Sequence, residues 1–149
     1  GTTMLFHCDL VYAGDNAAFS MPFVNLGLCP EAGASLLLRQ LVGYQRAAEK
    51  LMLGEAFYAE VALEMGLVNR VLPPQEVNGY AQVQAAKLAA KPLASLKATK
   101  QLMKMSLPAQ LNPVMSAELQ QFGTLLRGPA AKEAINAVMQ KRKPDFSKL

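Results

Sequence analysis

Up to Pro73 and Pro74 the apolar positions fall in short bursts punctuated by glycine; beyond that pair they recur at helical spacing almost to the end. Residues 1–7 are apolar after an opening glycine and read as the tail of a buried helix. Residues 9–13 form a β-type run stopped by Gly14, Asp15 and Asn16, and residues 18–21 form a second extended piece closed by Pro22. Residues 36–42 make an apolar helix ended by Gly43. Residues 45–53 make another, with Ala47, Ala48, Leu51 and Met52 on one face and Gly54 as its stop. A short amphipathic helix over 59–65 closes at Gly66, and residues 67–72 alternate apolar with polar as a short strand does. The predicted helices of the second half cover 80–90, 92–106, 111–126 and 129–141. Pro92 and Pro129 stand where a proline starts a helix well, whereas Pro113 shifts the start of its helix towards Asn112.

This order predicts an α/β chain: strands and turns over residues 1–76, then an all-helical segment over 77–149. A length of 149 residues fits one ordinary domain, and an apolar content of 52% supplies a core and excludes a disordered chain. No run approaches the roughly 18 apolar residues of a membrane span. Asp9 interrupts the short apolar opening that a secretory leader needs. The chain opens on Gly1, Thr2 and Thr3 without a methionine, which reads as the middle of a domain. Cys8 and Cys29 form no spaced framework and lack a histidine at ligand spacing, so both are expected reduced and buried, and no metal is expected. His7, the single histidine, reads as a packing or surface residue.

Charge adds an asymmetry to this picture. Residues 1–79 carry 8 acidic and 4 basic side chains, while residues 80–149 carry 3 and 11, so the overall +4 conceals a strongly basic second half. Such a field attracts a polyanion or a phosphate-bearing ligand, and lysines spaced along helices also make an ordinary solvated face. The scarcity of aromatic residues among these lysines argues against nucleic acid.

The candidate chemistry lies in the turn between the strands and the first apolar helix: Gly27, Leu28, Cys29, Pro30, Glu31, Ala32, Gly33, Ala34 and Ser35. Pro30 fixes φ, and Gly27 and Gly33 permit close approach of the backbone to a neighbour. Glu31 is flanked by small residues, so a ligand lying over Ala32 and Gly33 meets its carboxylate at short range. Two readings of Glu31 follow from spacing: a ligand-facing acid or base, or a partner of the helix dipole.

The ordered succession Cys8, Asp9, Leu10, Val11, Tyr12, Ala13, then Phe19, Ser20, Met21, Pro22, then Leu26, Gly27 and Pro30, Glu31, Ala32, Gly33 resembles the second half of a crotonase (enoyl-CoA hydratase/isomerase) domain. The resemblance continues through Gly54, Ala59 and Glu60, the run from Gly66 to Val71, and the closing Lys141, Arg142, Lys143, Pro144, Asp145 and Phe146. It implies the C-terminal part of a ClpP-like ββα spiral followed by a helical oligomerisation and CoA-contacting segment, assembled as a homo-oligomer, trimer or hexamer. It further implies an acyl-CoA thioester as ligand, with coenzyme A part of the substrate and no separate cofactor.

Family members hold a thioester enolate with two backbone N–H groups, aimed where charge develops. Gly1 corresponds to the last glycine of one donor loop, and the chain by itself is expected not to turn over. The two glutamates of the family's hydratases correspond here to Thr3 and Phe23, neither of which is a base. Glu31 occupies the position of the catalytic acid in several family isomerases, and the resemblance is nearest to Δ3,Δ2-enoyl-CoA isomerases. Glu31 would then move one proton from C2 to C4, desolvated by a wall of Leu28, Phe23 and the acyl chain, with Ala32 and Gly33 beside it. The resemblance also assigns Phe122 and Lys141 to the adenine and 3′-phosphate of CoA. By spacing alone, Phe122 is equally a core aromatic and Lys141 equally a solvated charge.

Two other functions fit the same sequence: an acyl-CoA hydrolase or dehalogenase with His7 as base, and a non-catalytic CoA- or partner-binding module. Ser147, Lys148 and Leu149 read as a peroxisomal address in a eukaryotic source; otherwise the expected compartment is the cytoplasm, with no membrane association.

Overall fold

The computed structural model describes residues 1–147 and 149, so Lys148 of the terminal tripeptide lies outside the described residues. Among the described residues four short strands form two pairs. β1 (Tyr12–Gly14) runs parallel to β4 (Arg70–Leu72), with Ala13 opposite Val71. β2 (Ala18–Phe19) runs antiparallel to β3 (Phe57–Tyr58), and the Phe19 and Phe57 rings stack at 5.6 Å. The parallel pair needs a long crossover, which α1 (Ala34–Val42), α2 (Tyr44–Leu53) and α3 (Ala59–Glu64) supply. Asn69 N–H donates to the Val11 carbonyl at 2.8 Å and Asp15 N–H to the Leu72 carbonyl at 2.9 Å, extending the β1–β4 ladder at both ends.

The core lies between these strands and the first three helices. Met21, Leu38 and Val68 are fully enclosed, with Ala47, Leu51, Ala62, Met65 and Leu67 around them. Glycines end these helices as the sequence predicts. Gly54 closes α2 at φ +65° and Gly66 follows α3 at φ +77°, a region that costs a side-chain-bearing residue about 1–2 kcal/mol.

The second half is helical as expected: α4 (Val77–Ala89), α5 (Leu93–Lys104), α6 (Leu107–Leu126) and α7 (Pro129–Met139). α7 buries Ala131, Ala134 and Ala137 on one stripe. α4 and α5 bury no residue, although Tyr12 and Tyr80 meet edge to face at 5.0 Å and Lys100 and Lys104 of α5 pair with Asp9. No helix among the described residues is long and apolar enough to cross a membrane.

Three local expectations are corrected. Residues 2–7 form a 3-10 helix in which Thr3 alone is buried, not the tail of a buried helix. α6 begins at Leu107, with Pro108 in its first turn, so Pro113 stands inside the helix and not near its start. Cys8 is exposed and Cys29 half-buried, both as free thiols.

Candidate active site

Glu31 does not belong to α1. Gly33 is the N-cap of that helix, at φ +74°, and Ala32 before it is also left-handed at φ +58°. Two consecutive left-handed residues reverse the chain between Pro30 and α1 and set the Glu31 side chain off the helix axis. For Ala32 this conformation costs about 1–2 kcal/mol, so the turn must be held by its surroundings.

It is held on two sides. From the first 3-10 helix, Thr3 Oγ1 donates to Glu31 Oε1 at 2.6 Å, and His7 Nε2 lies 2.7 Å from the Ala32 carbonyl oxygen, which fixes that ring nitrogen as the donor. From α6, the Glu118 carboxylate accepts Gly33 N–H at 2.6 Å, Ser35 N–H at 3.0 Å and Ser35 Oγ–H at 2.5 Å. Helix α1 has no acidic residue in its first turn and no side chain on its N-cap. The carboxylate at its N-terminus is therefore that of Glu118, and the dipole reading of Glu31 belongs instead to a residue 85 positions away from Gly33.

Glu31 and Ala32 open onto a cavity of about 590 Å³ whose remaining wall comes from α6: Met115, Ser116, Leu119 and Phe122. Positions 115, 119 and 122 follow the i, i+4, i+7 spacing of one helix face. Glu31 is the one ionisable group in that lining, in a surface otherwise formed by thioether, aliphatic and aromatic carbon plus one hydroxyl.

The structure brings together some of the predicted site residues and separates the others. Thr3, Glu31, Ala32 and Gly33 come together at the turn. Phe122 lines the cavity of Glu31, whereas Lys141 follows α7, exposed and left-handed at φ +54°. Phe23 and Leu28, expected to wall off Glu31, do not line its cavity. Phe23 packs against the hydrophobic core, and Leu28 faces a separate apolar cavity of about 290 Å³ with Cys29, Pro30, Tyr44, Leu51 and Met52. Leu28, Cys29 and Pro30 face this second cavity while Glu31 and Ala32 face the first, so the chain changes sides between Pro30 and Glu31. Gly1 is exposed and caps the first 3-10 helix.

Sequence reasoning missed Glu118, which is buried. A signal was present: it is the single carboxylate between Glu76 and Glu133, set in an apolar helical run, while the helix starting after Gly33 has no capping side chain of its own. Burial pushes the Cys29 thiol above its ordinary value, and the Glu118 charge adds to that. No group of three or more His, Cys, Asp or Glu side chains among the described residues is arranged to hold a metal ion.

Comparison with known proteins gives this geometry its context. Residues 1–148 match the family model for enoyl-CoA hydratase/isomerase. The chain is 36% identical over 146 residues to the 2,3-dehydroadipyl-CoA hydratase of Escherichia coli, covering 98% of this chain and 57% of that protein. It is 34% identical over 139 residues to the trans-2-decenoyl-[acyl-carrier-protein] isomerase of Streptococcus mutans, covering 93% of this chain and 53% of that one. In structure it superimposes on an enoyl-CoA hydratase/isomerase from Pseudoalteromonas atlantica with a TM-score of 0.94 at 36% identity, over 98% of this chain and 59% of the other. The chain therefore spans between half and three-fifths of the length of these proteins. A ββα core with a helical C-terminal segment, in this order and with these matches, makes the chain a member of the enoyl-CoA hydratase/isomerase family, the crotonases.

Proposed function

We propose that the protein carrying this chain is an acyl-CoA isomerase that moves the double bond of a 3-enoyl-CoA to the 2-position, with Glu31 as its single acid and base. The observation that carries this reading is the solitary carboxylate: Glu31 is the one ionisable group in a cavity lined by Met115, Ser116, Leu119 and Phe122. The C2 proton of a 3-enoyl thioester is acidified by both the carbonyl and the alkene. Glu31 removes it, the electrons spread as a dienolate over C4 to the thioester oxygen, and the carboxylic acid returns the proton to C4 on the same face. The double bond then lies between C2 and C3, conjugated with the thioester, and no water is consumed. Two backbone N–H donors on the thioester oxygen complete the arrangement, as in the family at large.

Hydration of a 2-enoyl thioester needs one group to activate water and another to protonate C2. By the family resemblance Thr3 and Phe23 correspond to the two glutamates of the hydratases, and neither side chain exchanges protons near neutral pH. Hydrolysis with His7 as base is disfavoured too, because His7 is engaged in holding the turn through the Ala32 carbonyl and does not line the cavity that Glu31 faces. The test offers the full-length protein a 3-enoyl-, a 2-enoyl- and a saturated acyl-CoA in turn. The expected result is conversion of the first to the conjugated 2-enoyl thioester, with neither hydration of the second nor release of free CoA from the third. A dominant hydratase or hydrolase activity contradicts the reading.

Coenzyme A belongs to the substrate in this reading, and no further cofactor takes part. Lys141, exposed beyond α7 next to Arg142 and Lys143, is assigned to a CoA phosphate. Lys141→Ala is expected to weaken CoA-thioester binding by roughly tenfold at low salt and less as salt rises, as one charge-assisted contact implies. Binding of the corresponding pantetheine thioester, measured by calorimetry, is expected to stay unchanged. Equal losses for both ligands contradict the assignment. The exposed apolar residues of α5 and α7, among them Leu102, Met103, Val138 and Met139, support assembly as a homo-oligomer, a trimer or hexamer.

A further inference from the structure

From the geometry we infer that Glu118 is a positioning residue for the proton transfer: it locks the left-handed turn at Ala32 and Gly33 and so fixes the Glu31 carboxylate against the α6 wall. This rests on the reading of Glu31 as the proton carrier. The Glu118 carboxylate is buried and takes all three of its hydrogen bonds from the start of α1, two from the amides of Gly33 and Ser35 and one from the Ser35 hydroxyl. Those amides are first-turn donors with no acceptor inside their own helix. In a helix with a serine or aspartate N-cap the acceptor comes from the turn itself, and the turn is then free to move with its helix. Here the acceptor comes from the same helix that supplies Met115, Leu119 and Phe122 to the cavity.

One side chain therefore ties the base-bearing turn to the surface against which the acyl chain would lie. Residues 115, 118, 119 and 122 share a face of α6, so Glu118 stands beside the wall residues and reaches the start of α1 without lining the cavity. The packing agrees: a Cβ on Gly33 would collide with the Leu111 side chain and meet Met115 Cγ at 3.4 Å, so α6 approaches the turn at Gly33 as closely as a residue without a side chain allows. Proton transfer at C2 and again at C4 requires the carboxylate to be placed to within a fraction of an ångström over two carbons. A hold of this kind acts on the chemical step more than on binding.

Glu118→Gln keeps the shape but presents an amide group to donors that need acceptors on both sides. In the full-length protein it is expected to lower kcat by about 10- to 100-fold, as for a base displaced by up to an ångström. The dissociation constant of a saturated, unreactive acyl-CoA is expected to hold within about threefold. Ser35→Ala removes the hydroxyl contact and leaves both amides on the carboxylate, and its loss of kcat is expected to be smaller than that of Glu118→Gln. An unchanged kcat in Glu118→Gln overturns the inference, as does a parallel loss of kcat and binding, which would make Glu118 a scaffold residue only. Should that variant not fold, hydrogen exchange in the unaltered protein decides: slow exchange at Gly33 and Ser35 supports the hold by Glu118, and fast exchange at both overturns it. Glu31→Gln is measured alongside. Turnover in that variant condemns the reading of Glu31, while the exchange data still report on Glu118 separately.

Discussion

Replacing Glu31 by glutamine in the full-length protein is expected to lower isomerisation of a 3-enoyl-CoA by a factor of about 100 to 10,000, the range that general acid–base groups contribute. The side chain changes by one atom type and keeps a carbonyl oxygen for the Thr3 hydroxyl, which donates to Glu31 at 2.6 Å. The turn at Ala32 and Gly33, held by His7 and Glu118, has no contact with the altered atoms. Binding of the thioester is therefore expected to survive, and the whole loss to appear in kcat, the pattern of an interaction made only in the transition state. Steady-state kinetics on 3-enoyl-CoA, with calorimetry on a saturated analogue, separates the two. Near-normal turnover in Glu31→Gln contradicts the assignment.

The second large effect concerns the platform under the turn. Gly27→Ala is expected to destabilise the protein by roughly 2–5 kcal/mol, combining the left-handed penalty with overpacking. Gly27 ends the 3-10 helix Val24–Leu26 at φ +66°, pressed against α7. A methyl group there would lie 2.6 Å from the carbonyl carbon of Ala130 and 2.7 Å from the amide nitrogen of Ala131. Those are backbone atoms, so no rotamer change relieves the clash, and α7 must lift off together with its buried Ala131, Ala134 and Ala137. Denaturant unfolding measures the loss, and faster hydrogen exchange along α7 locates it. A change within about 0.5 kcal/mol, ordinary for a surface substitution, contradicts this packing.

Much of this architecture is legible in the chain. Glycine stops, short β-type runs and helical periodicity place nearly every element, because Gly43, Gly54 and Gly66 end helices by a local mechanism that a sequence displays directly. Glu31 is legible as a candidate for the same reason: it is bracketed by small residues in a turn. The failures share a physical cause. Pro113 ought to break a helix, yet α6 runs from Leu107 through it, with Pro108 already serving in the first turn. Nearness in sequence puts Phe23 and Leu28 beside Glu31, whereas the chain changes sides between Pro30 and Glu31 and opens the carboxylate onto α6. Glu118 escapes sequence reasoning because its partners lie 83 and 85 residues earlier, beyond the reach of any periodicity.

The dividing line, then, is range. Local signals specify the elements and the turn that presents the carboxylate, but the wall opposite that carboxylate is built by a helix from the far end of the chain. Residues that act through long-range contacts carry only an indirect mark, here a lone acid among apolar helical positions and a helix start with no cap of its own.

Whether one carboxylate carries a hydrogen between two carbons is tested most directly by turnover of a 3-enoyl-CoA deuterated at C2, with the product resolved by NMR. The expected product is a 2-enoyl-CoA with part of that deuterium delivered to C4, no hydroxyl at C3 and no free CoA, and the transfer is expected to vanish in Glu31→Gln. A 3-hydroxyacyl-CoA product, or transfer to C4 that persists without Glu31, would contradict it.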